Sequence, residues 1–293
     1  NVNDGSNNYA KAFTVSVTNV LESPTDISFV MDNLVSDDLL IYLDSRNTDS
    51  YSGSGTSWSD LSGNGNDFTV KGSMIHDFNN GFTFEINQTT KYAYKTALNH
   101  PTTRYTDELL LKTSTNNIGA FKSYGVSGND NQSLLIYTNN VKTHSGPSIV
   151  VQTTVDIDDG NWHHFVRTSD ISSGEEKIYL DGTLVHTSAQ NAGYPITQGG
   201  YLILGNEPDA TFNPSNNNGL ATNNAFDGYI PVYRLYDRVL TAEDVSKNYT
   251  AILSNGTPLN LNSASSSPTI DEGVSIGTVA ATLSATDPDT TDF

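Results

Sequence analysis

Lys177-Ile-Tyr-Leu-Asp-Gly-Thr-Leu-Val185 is the stretch of sequence that decides the fold. Its central Asp181-Gly182 pair favours a two-residue type I′ turn, because both central positions of that turn need a positive φ. The residues on either side are β-prone and apolar, as expected of paired strands. The stretch therefore predicts an antiparallel β-hairpin in which Asp181 is a turn residue rather than a ligand.

The sequence just upstream predicts another strand, Gly160-Asn-Trp-His-His-Phe-Val166, which follows a tight turn. Successive side chains of a strand point to opposite faces. Trp162 and His164 are therefore expected on one face, and His163 and Phe165 on the other. Adjacent histidines that point apart do not share a metal ion.

The same period-two alternation recurs along the chain, for example in Phe82-Thr-Phe84 and Tyr201-Leu-Ile-Leu204, between Gly, Asn, Asp and Pro residues. It predicts an antiparallel all-β fold. Leu240 to Tyr249 is the main exception, since Thr241 and Asp244 have the spacing of a capping box. One short helix is expected there.

Charge and composition exclude several kinds of partner. The chain has 14 Lys and Arg but 33 Asp and Glu, a formal charge of −19, which repels nucleic acid and anionic membrane surfaces. The longest apolar runs are far below the roughly 18 residues that span a bilayer, so no membrane insertion is expected in this segment. The absence of cysteine excludes disulfides and zinc-thiolate sites and fits a secreted bacterial or viral protein.

Several motifs occur together in a recognisable order, and they are Leu39-Leu-Ile-Tyr-Leu-Asp44, Trp58 to Asn66, Phe82-Thr-Phe-Glu85, Gly160-Asn-Trp-His-His164, Ile178-Tyr-Leu-Asp-Gly182, Leu202-Ile-Leu-Gly205, Phe226-Asp-Gly-Tyr-Ile230 and Arg234 to Thr241. In this order they resemble the laminin-G-like branch of the concanavalin A-like jelly rolls, as found in bacteria and phages. The resemblance implies two antiparallel sheets packed as a sandwich, with a partner held at a rim or on a concave face. Pro231 stands where this family often has Asp, so a calcium site that used that carboxylate would be lost.

The two ends of the chain resemble incomplete cadherin-like repeats, which indicates a piece of a longer modular surface protein. The predicted organisation is the end of one repeat at 1–22, a linker at 23–35, the jelly roll at 36–253, a linker at 254–267 and the start of another repeat at 268–293. The cadherin pattern implies Ca²⁺ ligands at Glu22, Glu272, Asp287 and Asp289. Oxygen ligands of this kind, gathered at a junction, stiffen neighbouring modules in the parent chain.

Within the jelly roll, the insert from Gly205 to Asp227 exceeds an ordinary loop and is the main candidate site. Glu207, Asp209 and Asp227 are candidate Ca²⁺ ligands because Ca²⁺ prefers carboxylate oxygen. The insert and its surroundings also supply the candidate ligand-binding residues, which are Tyr194, Asn206, Phe212 and Asn213. The alternative is a mobile Asn-rich loop that binds nothing.

Trp58 and Asp60 lie beside a Gly-rich turn and have structural explanations. A large aromatic residue next to a turn more often anchors the core than stacks on a sugar. Asp60 is expected to accept hydrogen bonds from the backbone that follows it. Asn131-Gln-Ser is one of several triplets that match the N-glycosylation pattern by chance in an Asn-rich chain.

Catalytic motifs are absent from the sequence. Glycoside hydrolysis needs two carboxylates facing each other across a cleft, whereas Glu175 and Glu176 are consecutive and point apart, and Asp156 to Asp159 precede a strand. The favoured interpretation is a non-catalytic extracellular binding module of an adhesin, on a bacterial cell or virion surface, whose partner is a glycan or a surface protein. A structural spacer without a specific ligand is the alternative, and a glycoside hydrolase is a third.

Overall fold

A computed structural model of the chain describes residues 2–3, 8–9, 34–116, 119–146, 149–190, 192, 194–220 and 222–256. Its strands, in chain order, are β1 Val2–Asn3, β2 Asn8–Tyr9, β3 Leu39–Asp44, β4 Ser57–Trp58, β5 Phe68–Lys71, β6 His76–Asp77, β7 Gly81–Phe84, β8 Tyr92–Leu98, β9 Arg104–Lys112, β10 Ala120–Val126, β11 Asn129–Ile136, β12 Lys142–Ser145, β13 Ile149–Gln152, β14 Trp162–Asp170, β15 Glu175–Leu180, β16 Thr183–Ser188, β17 Gly200–Leu204, β18 Pro208–Asn213, β19 Asn218–Leu220 and β20 Gly228–Tyr236. A 3₁₀ helix spans Thr222–Asn224, and the helix α1 spans Ala242–Gly256.

The chain divides into two compact units. Residues 33–252 form one unit, a jelly-roll sandwich of antiparallel strands. The other consists of residues 1–32 and 253–293, and its described parts include an antiparallel pairing of β1 with β2. None of the helices among the described residues has the length and apolar character needed to cross a membrane.

The sandwich has two sheets, here called sheet A and sheet B. Sheet A has the order β13-β12-β11-β10-β17-β8-β5-β4, and sheet B has the order β16-β15-β14-β9-β20-β7-β6, with β3 also paired to β20. The antiparallel all-β prediction is therefore confirmed. Apolar side chains from both sheets, including Phe121, Phe165, Leu204 and Tyr233, form the main core between them.

The structure agrees with the local predictions made for the Asp181-Gly182 turn, for Trp58 and for Asp60. Asp181 and Gly182 have φ values of 52° and 77° between β15 and β16, as the hairpin prediction required. Trp58 is fully buried, edge-on to Phe82 with ring centroids 4.9 Å apart. Asp60 accepts backbone hydrogen bonds from Tyr42, Ser62 and Asn66.

Helix α1 begins with the predicted capping box. The backbone N–H of Asp244 donates to Thr241 Oγ1 at 3.1 Å, and the N–H of Thr241 donates to Asp244 Oδ2 at 3.0 Å. The helix extends past the predicted end at Tyr249 to Gly256. Its Val245 packs with Val166 and Tyr236 on the face of sheet B that points away from the main core, which adds a layer to the sandwich.

Pro231 lies inside β20, a position that central strands seldom allow because proline has no N–H. The register between β20 and β9 shifts between Tyr229 and Val232. This irregularity accommodates the missing donor, and the carbonyl of Pro231 accepts a hydrogen bond from the N–H of Ser45 at 2.9 Å. Pro231 therefore has a structural position in the sheet.

Candidate metal and ligand site

The segment after Gly205, which the sequence predicted as a long loop, contains a hairpin in which β18 pairs antiparallel with β19. Its turn is built from asparagine: Asn213 Oδ1 accepts from the N–H of Ser215, Asn216 Oδ1 accepts from the N–H of Asn218, and Asn217 has a φ of 56°. Asn readily forms such turns and tolerates the left-handed region. The asparagines that made the segment look unstructured are the residues that close it.

Phe212 anchors this hairpin to the outer face of sheet A. It is 7% exposed and packs with Tyr92, Tyr201 and Ile203, with Tyr94 at the edge of the cluster. Little of its ring is left for a sugar. Tyr194 is exposed instead, and its ring lies against Gly146, where an added Cβ would come within 2.9 Å of it.

Glu207, at the base of the hairpin, is 3% exposed. Its Oε2 accepts a hydrogen bond from Asn224 Nδ2 at 2.5 Å, and none of the described Lys, Arg or His side chains forms an ion pair with it. Burial, followed by the neighbouring charges of Asp209 and Asp130, raises the pKa of Glu207 to about 8. A buried carboxylate is normally paired with a cation, and this one lies among further acids.

Asp130 is a site residue that the sequence analysis missed, since its charge helps to raise the pKa of Glu207. It belongs to β11, which contacts β18 in the fold. Its neighbour Asn131 points to the opposite face of the strand and is not part of the site. The available signal was the acid and amide run Gly128-Asn-Asp-Asn-Gln132 at a hairpin, but only the strand order shows that it meets Glu207.

Two other predicted residues, Asn206 and Asp227, have separate sets of hydrogen-bond partners. Asn206 is fully buried; its Oδ1 accepts from the N–H of Glu207 at 2.7 Å and its Nδ2 donates to the carbonyl of Gln88. It therefore holds the backbone of Glu207. Asp227 accepts from Thr115 Oγ1 at 2.5 Å and from the N–H of Ile86 at 3.3 Å.

No three Asp, Glu or His side chains in the described part of the chain are assembled into a group that could hold a metal ion. Glu207, Asp209 and Asp227 are thus not gathered as a three-carboxylate site. The other predicted Ca²⁺ ligands, Glu22, Glu272, Asp287 and Asp289, lie outside the described residues.

Another group of charged residues, which no sequence motif predicted, lies between the sheets. Lys122 Nζ is 3.0 Å from Asp107 Oδ2, and Arg167 Nη2 is 2.6 Å from Glu176 Oε2, with all four side chains fully buried. On the helix side of sheet B, Glu108 pairs with Arg234 at 2.9 Å. Each of these buried acids has a cationic partner, in contrast to Glu207.

The two adjacent histidines point to different partners, as the alternation predicts. His163 lies between two carboxylates, with Nδ1 2.9 Å from Asp181 Oδ2 and Nε2 3.0 Å from Asp159 Oδ1. The hydrogen bond to Asp181 is the main reason why the pKa of His163 is raised. His164 instead approaches Glu108 Oε1 at 2.7 Å, beneath the helix.

Comparison with known proteins shows which family has this architecture. The family model described as the concanavalin A-like lectin/glucanases superfamily matches residues 76–246, more than half of the chain. Human neuronal pentraxin-2 is 32% identical over 130 residues, which is 44% of this chain and 29% of that protein. The chain therefore spans less than a third of the length of this relative.

Solved structures share the fold at low identity. The binding domain of Paraclostridial mosquitocidal protein 1 superposes with a TM-score of 0.54 at 13% identity, covering 74% of this chain and 53% of that chain. Domain 4 of the arabinanase AbnA from Geobacillus stearothermophilus, solved with arabinotriose, gives a TM-score of 0.51 at 19% identity, with 71% and 97% covered.

Proposed function

The chain belongs to the concanavalin A-like lectin/glucanases superfamily, and from this premise we propose that its sandwich is a non-catalytic extracellular module that binds carbohydrate with the help of Ca²⁺. The observation that carries the proposal is Glu207, a buried carboxylate with Asp209 and Asp130 nearby and no cationic side chain paired with it among the described residues. A bound cation would remove the electrostatic cost of this arrangement.

The residues present fit Ca²⁺ better than a transition metal. Ca²⁺ takes six to eight oxygen ligands from carboxylates, amide carbonyls and water, in flexible geometry. Glu207 would supply one carboxylate, and Asp209 and Asp130, whose charges act on it, would have to move to complete the ligand set, because no three acids are assembled among the described residues. When bound, the ion would neutralise the cluster and offer coordination positions to sugar hydroxyls.

Carbohydrate is the ligand class that this setting favours. Asn213 is exposed on the same hairpin, and Tyr194 is an exposed aromatic ring elsewhere on the sandwich. Aromatic rings and amide groups are well suited to the apolar faces and hydroxyls of sugars. The domain of the arabinanase that shares the fold was solved with a trisaccharide, which supports this ligand class by analogy only.

The wider context in the parent protein is part of the same proposal. We infer that the module is set between cadherin-like repeats of a surface adhesin, in which Glu22, Glu272, Asp287 and Asp289 bind Ca²⁺ at the junctions. We expect the ligand of the sandwich to be held without being cleaved, because the acids between its sheets, Asp107 and Glu176, are fully buried and out of reach of a bound ligand.

Calorimetric titration of Ca²⁺ into the full chain tests the site. Glu207→Gln keeps the shape of the side chain and removes its charge, so we expect the variant to fold and to lose at least about tenfold in the affinity of the sandwich site. Glu243→Gln, at an exposed position of α1, is the matched control and should bind like the native chain. Equal Ca²⁺ affinity of the native and Glu207→Gln proteins would refute the site.

Glycan-array binding, with Ca²⁺ and again with chelator, tests the ligand class. We expect binding to one family of sugars that chelator abolishes and Glu207→Gln weakens. A chain that binds Ca²⁺ but no glycan would leave a metal-binding module with a protein ligand, and a chain that binds neither would support the spacer.

A further inference from the structure

The side of the sandwich where the two sheets end with β16 and β13 has properties that ordinary sheet edges lack. Each strand is terminal in its sheet within the described residues. Together they border a groove of about 500 Å³, lined by Val150, Val151 and Gln152 on one side and by residues 186–190 on the other. In a terminal antiparallel strand, alternate residues direct their N–H and C=O groups away from the sheet, so this side offers unpaired backbone groups.

Exposed edges are usually protected by charge or by short length. On the opposite side, β4 and β6 have two residues each, and β6 carries Asp77. The six-residue strand β3, which also ends sheet B there, is covered by a loop: Asp60 accepts from the N–H of Tyr42, and Ser62 Oγ donates to the carbonyl of Leu40. By contrast, β16 has six residues and β13 has four. Residues 143–155 and 182–206 contain no Asp, Glu, Lys or Arg, although the chain has 47 such residues.

The unprotected side also exposes apolar surface. Val150, Leu184 and Val185 are each 44–46% exposed. In addition, Nε2 of His186, which lines the groove, is buried without a hydrogen-bond partner in the described structure. Unpaired backbone groups without charged side chains beside them, exposed apolar side chains and an unsatisfied ring nitrogen are properties of a surface that another strand covers.

We propose that this side of the sandwich is the interface with a second copy of the chain, in which β16 pairs antiparallel with β16 of the partner about a two-fold axis. Antiparallel pairing of a strand with itself needs only one self-complementary surface. It would continue sheet B across both copies and bring Leu184 and Val185 under cover.

Charge is the reason for choosing a second copy as the occupant. Two chains that each carry a formal charge of −19 repel each other. At physiological salt, however, the repulsion between exposed charges is screened beyond about 8 Å. Only charges on the edge itself would oppose contact, and this edge has none. The other edges lack this property, because β6 contains Asp77 and Asp60 and Asp67 lie near β4.

Sedimentation of the full chain over a range of concentrations tests the proposal. We expect a reversible dimer whose dissociation constant rises at least about tenfold in Leu184→Lys, because the substitution places like charges at the paired edge. Ile75→Lys is the matched control, an exposed apolar residue just before β6 on the opposite side, and it should dimerise like the native chain.

Hydrogen exchange gives an independent readout that needs no substitution. The amides of β16 should exchange more slowly as concentration increases, whereas those of β6 should not change. The proposal would be overturned if the native chain stays monomeric or if Ile75→Lys weakens the dimer as much as Leu184→Lys does. It would also be overturned if the exchange rates of the β16 amides do not change with protein concentration. Assembly through residues 1–33 or 257–293 would appear as a dimer insensitive to Leu184→Lys.

Discussion

At the scale of single residues, the chain handles its acidic side chains in three ways. Most are at the surface, where solvent screens them. Asp107, Glu108 and Glu176 are buried with Lys or Arg partners, and Glu207 is buried with none among the described side chains. The buried acids that have a cationic partner stabilise the fold, whereas Glu207, which has none among the described side chains, is the acid proposed to bind a ligand.

The pairing of His163 with Asp181 leads to a pH prediction. The pKa of His163 is raised above its ordinary value, mainly by the hydrogen bond to Asp181. The imidazolium therefore stabilises the fold fully below pH about 6.5, and this contribution is lost as pH rises through the higher folded-state pKa. In Asp181→Asn we expect the His163 titration midpoint, measured by NMR, to move down.

Asparagine tolerates the positive φ at position 181, so the turn should persist in that variant. Asp158→Asn is the control, since Asp159 and Asp181, not Asp158, are the acids bonded to His163. An unchanged midpoint in Asp181→Asn would contradict the assigned pairing.

At the scale of elements, features set by neighbouring residues could be read from the sequence and features set by strand order could not. The Asp181-Gly182 turn and the Thr241–Asp244 cap depend on local chemistry, and both were predicted. The Asp107–Lys122 pair and the meeting of Asp130 with Glu207 depend on which strands lie side by side. The β18–β19 hairpin was missed because its Asn-rich turn resembles an irregular loop.

Phe212 is the largest buried apolar side chain that joins the hairpin β18–β19 to sheet A, which makes its role testable. Phe212→Ala removes a buried ring from the cluster with Tyr92 and Tyr201, and such losses cost about 3–5 kcal/mol when the cavity persists. Because the hairpin can detach, we expect a smaller global loss of about 2 kcal/mol in urea unfolding, together with faster proteolysis between residues 208 and 220.

Phe78→Ala is the matched control, since that ring is exposed. Its unfolding free energy should change by less than about 1 kcal/mol. A Phe212→Ala protein whose hairpin resists protease as the native chain does would show that the asparagine turn alone maintains the element.

At the scale of the whole molecule, polar contacts connect the two sheets through the core. Lys122 of sheet A meets Asp107 of sheet B, and Thr143 of sheet A donates to Glu176 of sheet B at 2.6 Å. Arg167 of sheet B donates to Ser133 and Ser145 of sheet A. Apolar packing alone leaves the relative position of two sheets loosely defined, whereas directional bonds of this kind fix it.

The Lys122–Asp107 pair supplies the test of this idea. Burial by itself would raise the pKa of Asp107, but Lys122 holds it below its ordinary value. Lys122→Met would leave that carboxylate buried without its main partner, and we expect a loss of about 3–5 kcal/mol in unfolding free energy. Adding Asp107→Leu should recover about 2 kcal/mol of it, although Tyr233 Oη then loses its acceptor.

Lys177→Met is the control, because its pair with Glu175 is at the surface and is expected to contribute less than about 1 kcal/mol. Urea unfolding of the four proteins gives the comparison. If the double variant is no more stable than Lys122→Met, the carboxylate is not the source of the loss, and the sheets are held by packing. If the double variant regains unfolding free energy but its calorimetric unfolding transition broadens, the pair serves more to select one arrangement of the two sheets than to stabilise the fold.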